Sequence, residues 1–106
     1  MEPRFMSPRP RTEAELVAEL EAQGLHPERW SNGSQAVYGV HEHPYDKILV
    51  VASGNITFTL HTSTSRAVHL SAGDRLELPA RTPHSAVAGP EGVVCLEAHV
   101  TSQARE

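Results

Sequence analysis

The sequence predicts an all-β sandwich or barrel preceded by one helix. After residue 25, short apolar stretches recur, and glycine, proline and small polar residues separate them. About eight such strands at close spacing fit into this part of the chain, a pattern typical of sandwiches and barrels. With 106 residues, the chain is large enough for one small core and too small for two.

The N-terminal part is predicted to contain an arm and a helix. Residues 1–11 include three prolines and three arginines without an apolar period, which predicts a poorly ordered arm. Residues 12–24 are predicted as a helix, because Thr12 and Glu15 have the spacing of a capping box and Gly24 can end the helix. A narrow apolar stripe suits this helix for docking on the outside of a sheet: Leu16, Val17 and Leu20.

Residues 25–101 are predicted to form the β domain, and residues 102–106 a C-terminal tail. Turns are expected at 31–34, 44–46, 53–55, 71–74 and 89–92, where glycine, proline, asparagine and aspartate concentrate. The strands expected between and around these turns are 35–43, 47–52, 56–62, 67–70, 75–78, 85–88 and 93–100.

The amino-acid composition limits the kinds of binding partner and the cellular locations that can be expected for this protein. A net charge of −4 argues against a nucleic-acid surface, and no apolar run is long enough to cross a bilayer or to form a signal core. Cys95 is the single cysteine and lies among aliphatic residues, which favours a buried thiol and excludes an internal disulfide. We therefore expect a cytoplasmic protein with a small-molecule ligand or substrate.

Three histidines stand at positions that can converge. His41 and His43 are one residue apart on a predicted strand, so their side chains point the same way. His84 follows a turn-and-strand unit and can approach that pair from a neighbouring strand. Three neutral imidazoles around one point would form a transition-metal site with open positions. The alternative is that His-x-His on a polar strand has no function.

These residues resemble the two sequence motifs of the cupin superfamily, over residues 36–98. The first motif is matched by His41, His43 and Gly54, with Lys47 between them, and the second by Gly73, Pro79 and His84. The resemblance implies a double-stranded β-helix barrel of the jelly-roll type, with the N-terminal helix packed outside. It also implies one divalent metal held by His41, His43 and His84, and a homodimer.

The chain departs from the cupin pattern at three positions. Lys47 stands where the first motif normally has a metal-binding glutamate, Arg81 where the second motif usually has glycine, and Ala88 where it often has asparagine. A protonated amine cannot bind a metal and is disfavoured beside a dication. Three outcomes remain open: Lys47 becomes neutral beside the metal, it turns to solvent or pairs with an acid such as Asp46, or the site holds no metal.

Two classes of function follow. The first is a mononuclear metalloenzyme, dioxygenase-like or isomerase-like, in which Lys47 or Glu97 assists catalysis. Glu97 shares a strand face with Cys95 and could also supply the missing carboxylate if that face points inward. The second is a non-catalytic module that binds a sugar or organic anion. Imidazole ligands leave the metal open among iron, manganese, nickel, copper and zinc. Trp30 and Tyr38 are interpreted as core or interface aromatics.

Overall fold

The computed structural model describes residues 3–6 and 11–100, which form one helix and seven antiparallel strands. No helix in these two ranges is long and apolar enough to cross a membrane. The elements, in chain order, are β1 (Arg4–Met6), α1 (Glu13–Ala22), β2 (Glu28–Asn32), β3 (Val37–His41), β4 (Asp46–His61), β5 (Ser65–Ser71), β6 (Arg75–Leu78) and β7 (His84–Val100).

Two long strands, β4 and β7, form the centre of the fold. They pair antiparallel from Asp46 opposite Val100 to Leu60 opposite His84. The first half of β4 also pairs with β6, and β6 in turn pairs with β1. The second half of β4 pairs with β5. Likewise, the second half of β7 pairs with β2 and its first half with β3. The two long strands therefore pass from one layer to the other, which gives the all-β jelly-roll barrel that the sequence predicts.

Both long strands bend where the sequence predicts turns. The segments 53–55 and 89–92 stay inside β4 and β7, and the register shifts between Val51 and Ser53 and again between Gly54 and Ile56. Gly54 has a φ of +74°, and a Cβ at this position would collide with the backbone oxygen of Gly92. These glycines therefore allow a sharp bend and a close backbone approach without ending either strand, as in a β-bulge.

Side-chain alternation along β4 separates two apolar clusters. Leu49 and Val51 point into the barrel, whereas Val50 packs outside against Leu16 and Leu20 of α1. The helix therefore lies on the outer face of the sheet, as the stripe predicts, and each fully buried aliphatic side chain contributes about 1.5–3 kcal/mol. The barrel interior is filled by further residues: Ile56, Phe58, Leu60, Val68, Leu70, Leu76, Leu78, Ala86, Ala88, Val93 and Cys95.

The N-terminal region differs in part from the expectation. The helix has the predicted capping box, in which the Thr12 hydroxyl accepts from the Glu15 N–H at 3.1 Å. Within the predicted arm, however, residues 4–6 form β1, because the edge of β6 offers them backbone partners. The rest of the predicted arm, at residues 1–2 and 7–10, and the predicted tail at residues 102–106 lie outside the described residues.

One strand is absent from the sequence prediction, and one strand boundary differs. The sequence predicts no strand before residue 35 and places a turn at residues 31–34, but β2 covers Glu28–Asn32, because its backbone pairs with distant β7 while only Trp30 is half-buried. A strand that is held by backbone pairing and has little buried surface needs no alternation of apolar and polar residues, so the sequence does not indicate it. The strand predicted over 35–43 ends at His41, so His43 lies in the connection to β4.

Candidate metal centre

The three histidines are brought together by the start of β7 and the end of β3. His84 is the first residue of β7 and pairs directly with His41, the last residue of β3. His43 lies two residues further on, and its carbonyl accepts the N–H of Arg81 at 2.8 Å. This hydrogen bond ties the loop before His84 to the loop that carries His43, so all three rings lie at one end of the barrel.

The rings are in mutual contact. Their centroids are 4.4 Å apart for His41 and His84, 4.9 Å for His41 and His43, and 5.3 Å for His43 and His84. One potential ligand atom from each ring lies within 4.8 Å of those of the other two. Separations of this size allow three ring nitrogens to surround one ion after small side-chain adjustments, since zinc–nitrogen bonds are about 2.0–2.1 Å long.

Hydrogen bonds orient the rings. Nδ1–H of His84 donates to the carbonyl oxygen of Thr82 at 2.8 Å, and Nδ1–H of His41 donates to that of Gly39 at 2.7 Å. Because a carbonyl can only accept, Nδ1 carries a proton in both rings, and in the neutral form of each ring Nε2 then keeps its lone pair. The hydroxyl of Tyr45 lies 3.2 Å from Nδ1 of His43. Metal-binding histidines in proteins are commonly oriented in this way through their second nitrogen.

Nε2 of His84 is a buried atom without a hydrogen-bond partner among the described residues, and the residue is 2% exposed. An unsatisfied buried polar atom is costly, which makes it a pointer to a bound group. Burial lowers the pKa of His84 to about 4, although its hydrogen bond to Thr82 raises that pKa in part. Burial and the charge of Lys47 also lower the pKa of His43. Both rings are therefore in the neutral form that binds metals at neutral pH.

Lys47 points into the barrel and lies beside the cluster. Its Nζ is 3.3 Å from Nε2 of His43 and 3.4 Å from Oε1 of Glu97, and the residue is 8% exposed. Among the outcomes left open, the structure therefore shows pairing with an acid. That acid is Glu97, whereas Asp46 accepts the N–H of Ala80 at 2.7 Å.

Glu97 faces inward on β7 together with Cys95, which is buried in the barrel core. Burial raises the pKa of Glu97, but the Lys47 charge and hydrogen bonds from His99, Trp30 and Lys47 outweigh burial and lower it. The carboxylate accepts from Trp30 Nε1 at 2.9 Å and lies 3.1 Å from His99 Nε2. Glu97 is thus held beside the cluster and is not one of the three grouped ligand residues.

A cavity of about 320 Å³ opens beside the histidines. Its walls are apolar at Ile56, Phe58 and Ala86 and polar at residues that include Asn32, His41, Lys47, His84 and Glu97. Trp30 and Tyr38, interpreted from the sequence as core or interface aromatics, also line this cavity, with their rings 5.8 Å apart in an edge-to-face arrangement. Trp30 lies at the cavity because it pairs with inward-facing Cys95 on β7. This register between β2 and β7 joins distant parts of the chain, so no local sequence pattern predicts it.

Arg81 adopts a left-handed backbone conformation, which glycine adopts more easily than other residues. Its φ is +67°, in the left-handed region that costs a non-glycine residue energy. The departure from the second motif thus places an exposed arginine on this loop.

The sequence matches no family model and no curated protein, but its fold is similar to that of several solved structures. A DUF861 family protein from Thermotoga maritima has a TM-score of 0.67 and 14% identity, over 93% of this chain and all of that one. A cupin superfamily protein from Desulfitobacterium hafniense has a TM-score of 0.63 and 15% identity, over 95% of this chain and 79% of that one.

A DMSP lyase structure has a TM-score of 0.67 and 24% identity, over 79% of this chain. The chain spans 42% of the length of that lyase. These likenesses establish the fold: the chain is a cupin-fold protein, as its two motifs predict. The cluster of His41, His43 and His84 at one end of the barrel fits a metal-binding cupin.

Proposed function

We propose that this protein binds one divalent transition metal through Nε2 of His41, His43 and His84. The observation that carries the proposal is the buried Nε2 of His84, which lacks a partner among the described residues while Nδ1–H donates to Thr82. His41 repeats this arrangement, with its Nδ1–H held by Gly39. Iron, manganese, nickel, copper and zinc all accept imidazole ligands, so the donor set suits any of them.

We propose further that the metal serves a reaction on a small organic substrate, of a dioxygenase-like or isomerase-like kind. A metal with three protein ligands supplies open positions and acts as a Lewis acid. The adjoining cavity supplies apolar walls from Ile56 and Phe58 for orienting a substrate. Lys47 and Glu97 face it as a buried ion pair, placed to donate or accept a proton, and Trp30 and His99 fix the position of Glu97.

A second candidate is a non-catalytic module that holds a sugar or an organic anion in the same cavity. One observation favours it: Lys47 Nζ contacts the Nε2 of His43 that a metal would need. The two candidates differ in metal content. Elemental analysis of protein purified without chelator should give one metal per chain for the enzyme and none for the module.

Calorimetric titration with Zn²⁺ tests the three-histidine site. Replacing His41, His43 or His84 with alanine is expected to weaken binding at least tenfold, because each removes one of three ligands. The matched control is His61→Ala, since His61 contacts Ser85 on the outer face and lies outside the cluster. The exposed His41 gives the variant least able to disturb folding, which circular dichroism checks. Unchanged affinity in the His41→Ala and His84→Ala variants would refute the site.

We also propose that the protein is a cytoplasmic homodimer. The buried Cys95 thiol, whose pKa burial raises to about 12, suits a reducing compartment because it needs no disulfide. Exposed apolar side chains on and next to β3 support association: Val37, Val40 and Val87.

A further inference from the structure

The charge around the three histidines differs from that of a site with a carboxylate ligand. Among the described residues, the ligand cluster contains three imidazoles and no carboxylate. The nearest ion pair, Lys47 with Glu97, is neutral as a unit. A divalent metal bound here would therefore keep its full double charge in a cavity that is partly shielded from water. Opposite charge is attracted more strongly in such surroundings than in bulk water.

Metal binding would also release a hydrogen-bond donor. Lys47 Nζ now lies 3.3 Å from Nε2 of His43, so its ammonium can donate to that lone pair. A metal bound at Nε2 takes the lone pair, so Lys47, which is 8% exposed in the structure, loses this acceptor and keeps Glu97 as its partner. A buried donor on a charged group without an acceptor is costly. A ligand oxygen with negative charge, next to both the metal and Lys47, would remove this cost.

We infer that the ligand of this protein is a small monocarboxylate with an apolar tail, whose carboxylate lies between the bound metal and Lys47. The inference rests on the proposed metal site. The tail is assigned to the apolar wall formed by Ile56, Phe58 and Ala86. A cavity of about 320 Å³ lies at the small end of the range of about 300–1,000 Å³ for ligand pockets, which suits a short alkyl chain or one aromatic ring. Glu97, whose carboxylate lies 3.4 Å from Lys47 Nζ and lines the same cavity, disfavours a second negative charge on the ligand.

The test compares benzoate with benzamide, which have nearly the same shape but different charge. Protein loaded with Co²⁺ is titrated with each compound, and binding is followed by calorimetry and by the visible absorption of the cobalt. Benzoate should bind to the loaded protein at least tenfold more tightly than benzamide does. Benzoate should also bind to the metal-free protein at least tenfold more weakly than to the loaded protein. Glucose is titrated in parallel and should not bind.

Two variants assign the effect to Lys47. Lys47→Met and Lys47→Gln should weaken the preference for benzoate, because only the attraction of the metal remains, whereas Arg66→Met, which removes an exposed cation from β5, should keep the full preference. The wild-type comparison stands even if neither Lys47 variant folds. Equal binding of benzoate and benzamide, preference for glucose, or no benzoate binding to protein that holds one Co²⁺ would overturn the inference and leave the metal site intact. Failure to bind Co²⁺ at all would refute the proposed function and this inference with it.

Discussion

Lys47 is the residue that most changes what this cupin-fold site can do. A glutamate at this position would offer a fourth ligand, whereas Lys47 places an ammonium 3.3 Å from one of the three ring nitrogens. The neighbouring Glu97 compensates that charge at 3.4 Å, which explains how a lysine can be buried in the barrel at all. The cluster therefore combines ligand atoms with a competing cation.

Substituting Lys47 with glutamate should tighten divalent-metal binding by a factor of ten or more, or about 1.4 kcal/mol per tenfold. The variant removes a repulsive charge and adds a carboxylate ligand. Calorimetric titration of both proteins with the same metal measures the change, and Lys47→Met separates the loss of repulsion from the gain of a ligand. Equal affinities for wild type and Lys47→Glu would contradict the position of Lys47 at the site.

The buried His84 should make the metal-free protein sensitive to acid. Its pKa is lowered to about 4 in the folded state, so the unfolded chain binds the proton more tightly. Stability should therefore be complete above about pH 6.5 and fall, by on the order of 3 kcal/mol, as the pH drops to about 4. The lowered pKa of His43 acts in the same direction.

Urea unfolding at several pH values, with chelator present, measures this loss. The His84→Gln variant cannot take up the proton and should lose most of the slope between pH 6.5 and 4. A wild-type protein equally stable at pH 4.5 and pH 7 would show that His84 is protonated as readily in the folded state as in the unfolded chain.

At the scale of elements, the bends in β4 and β7 position the site. The first half of β4 carries Lys47 and the second half of β7 carries Glu97, whereas His84 and its partner strand β3 belong to the other layer. Because each long strand crosses between layers, residues far apart along it face one cavity. The bend must therefore stay fixed for the histidines and the ion pair to keep their distances.

Gly54→Ala should destabilise the protein by about 2 kcal/mol or more, because the new Cβ meets Gly92 and the φ of +74° is strained for alanine. Gly39→Ala is the matched control, since Gly39 lies on β3, has no positive φ, and would place its new Cβ with nothing within 4 Å. Its effect should stay within about 0.5 kcal/mol. Chemical denaturation gives both values, and equal effects of the two substitutions would contradict a constrained bend.

For the whole molecule, β3 presents the clearest surface for association. Within the described residues it pairs with β7 alone, and Val37 and Val40 on it are 73% and 63% exposed. An exposed apolar edge strand favours pairing with another chain. A two-fold dimer through this edge would cover it in a closed assembly.

Light scattering at micromolar concentration should give twice the 11.5 kDa chain mass. Val37→Lys should shift the protein toward the monomer, because it places a charge on the apolar edge. Thr64→Lys, on the exposed tip before β5, is the control and should leave the mass unchanged. A monomeric wild-type protein, or a Val37→Lys variant with the same dimer mass, would remove this edge as the interface.

Much of the fold could be predicted because its signals are local. The capping box at Thr12 indicates the helix, and the apolar stretches along β4 and β7 indicate the strands. Alternation along β7 puts Glu97 on the same face as Cys95 but leaves open which face points inward. At Gly54 and Gly92 the sequence predicts turns where the structure has bends within a strand. Glycine is typical of turns and of β-bulges alike, so its presence does not distinguish the two. Strand β2 could not be predicted, because its backbone is paired by distant β7 without a buried face of its own.

The three histidines of the candidate site could be predicted from the sequence, whereas the residues that surround them could be predicted only in part. Motif spacing singles out His41, His43 and His84, which the structure brings together. The partnership of Lys47 with Glu97 and the cavity walls at Trp30 and Tyr38 depend on register between strands far apart in sequence. No local sequence pattern predicts such long-range contacts. The three histidines could be predicted because two short motifs are recognised from residue types and their spacing alone.

Anomalous diffraction from crystals of the Co²⁺-loaded protein would show directly whether the three histidines bind a metal. We expect one anomalous peak at the end of the barrel, with nitrogen atoms of His41, His43 and His84 each about 2.0–2.2 Å from the ion. A peak bound by other residues, or no peak with the three rings turned away from one another, would contradict this expectation.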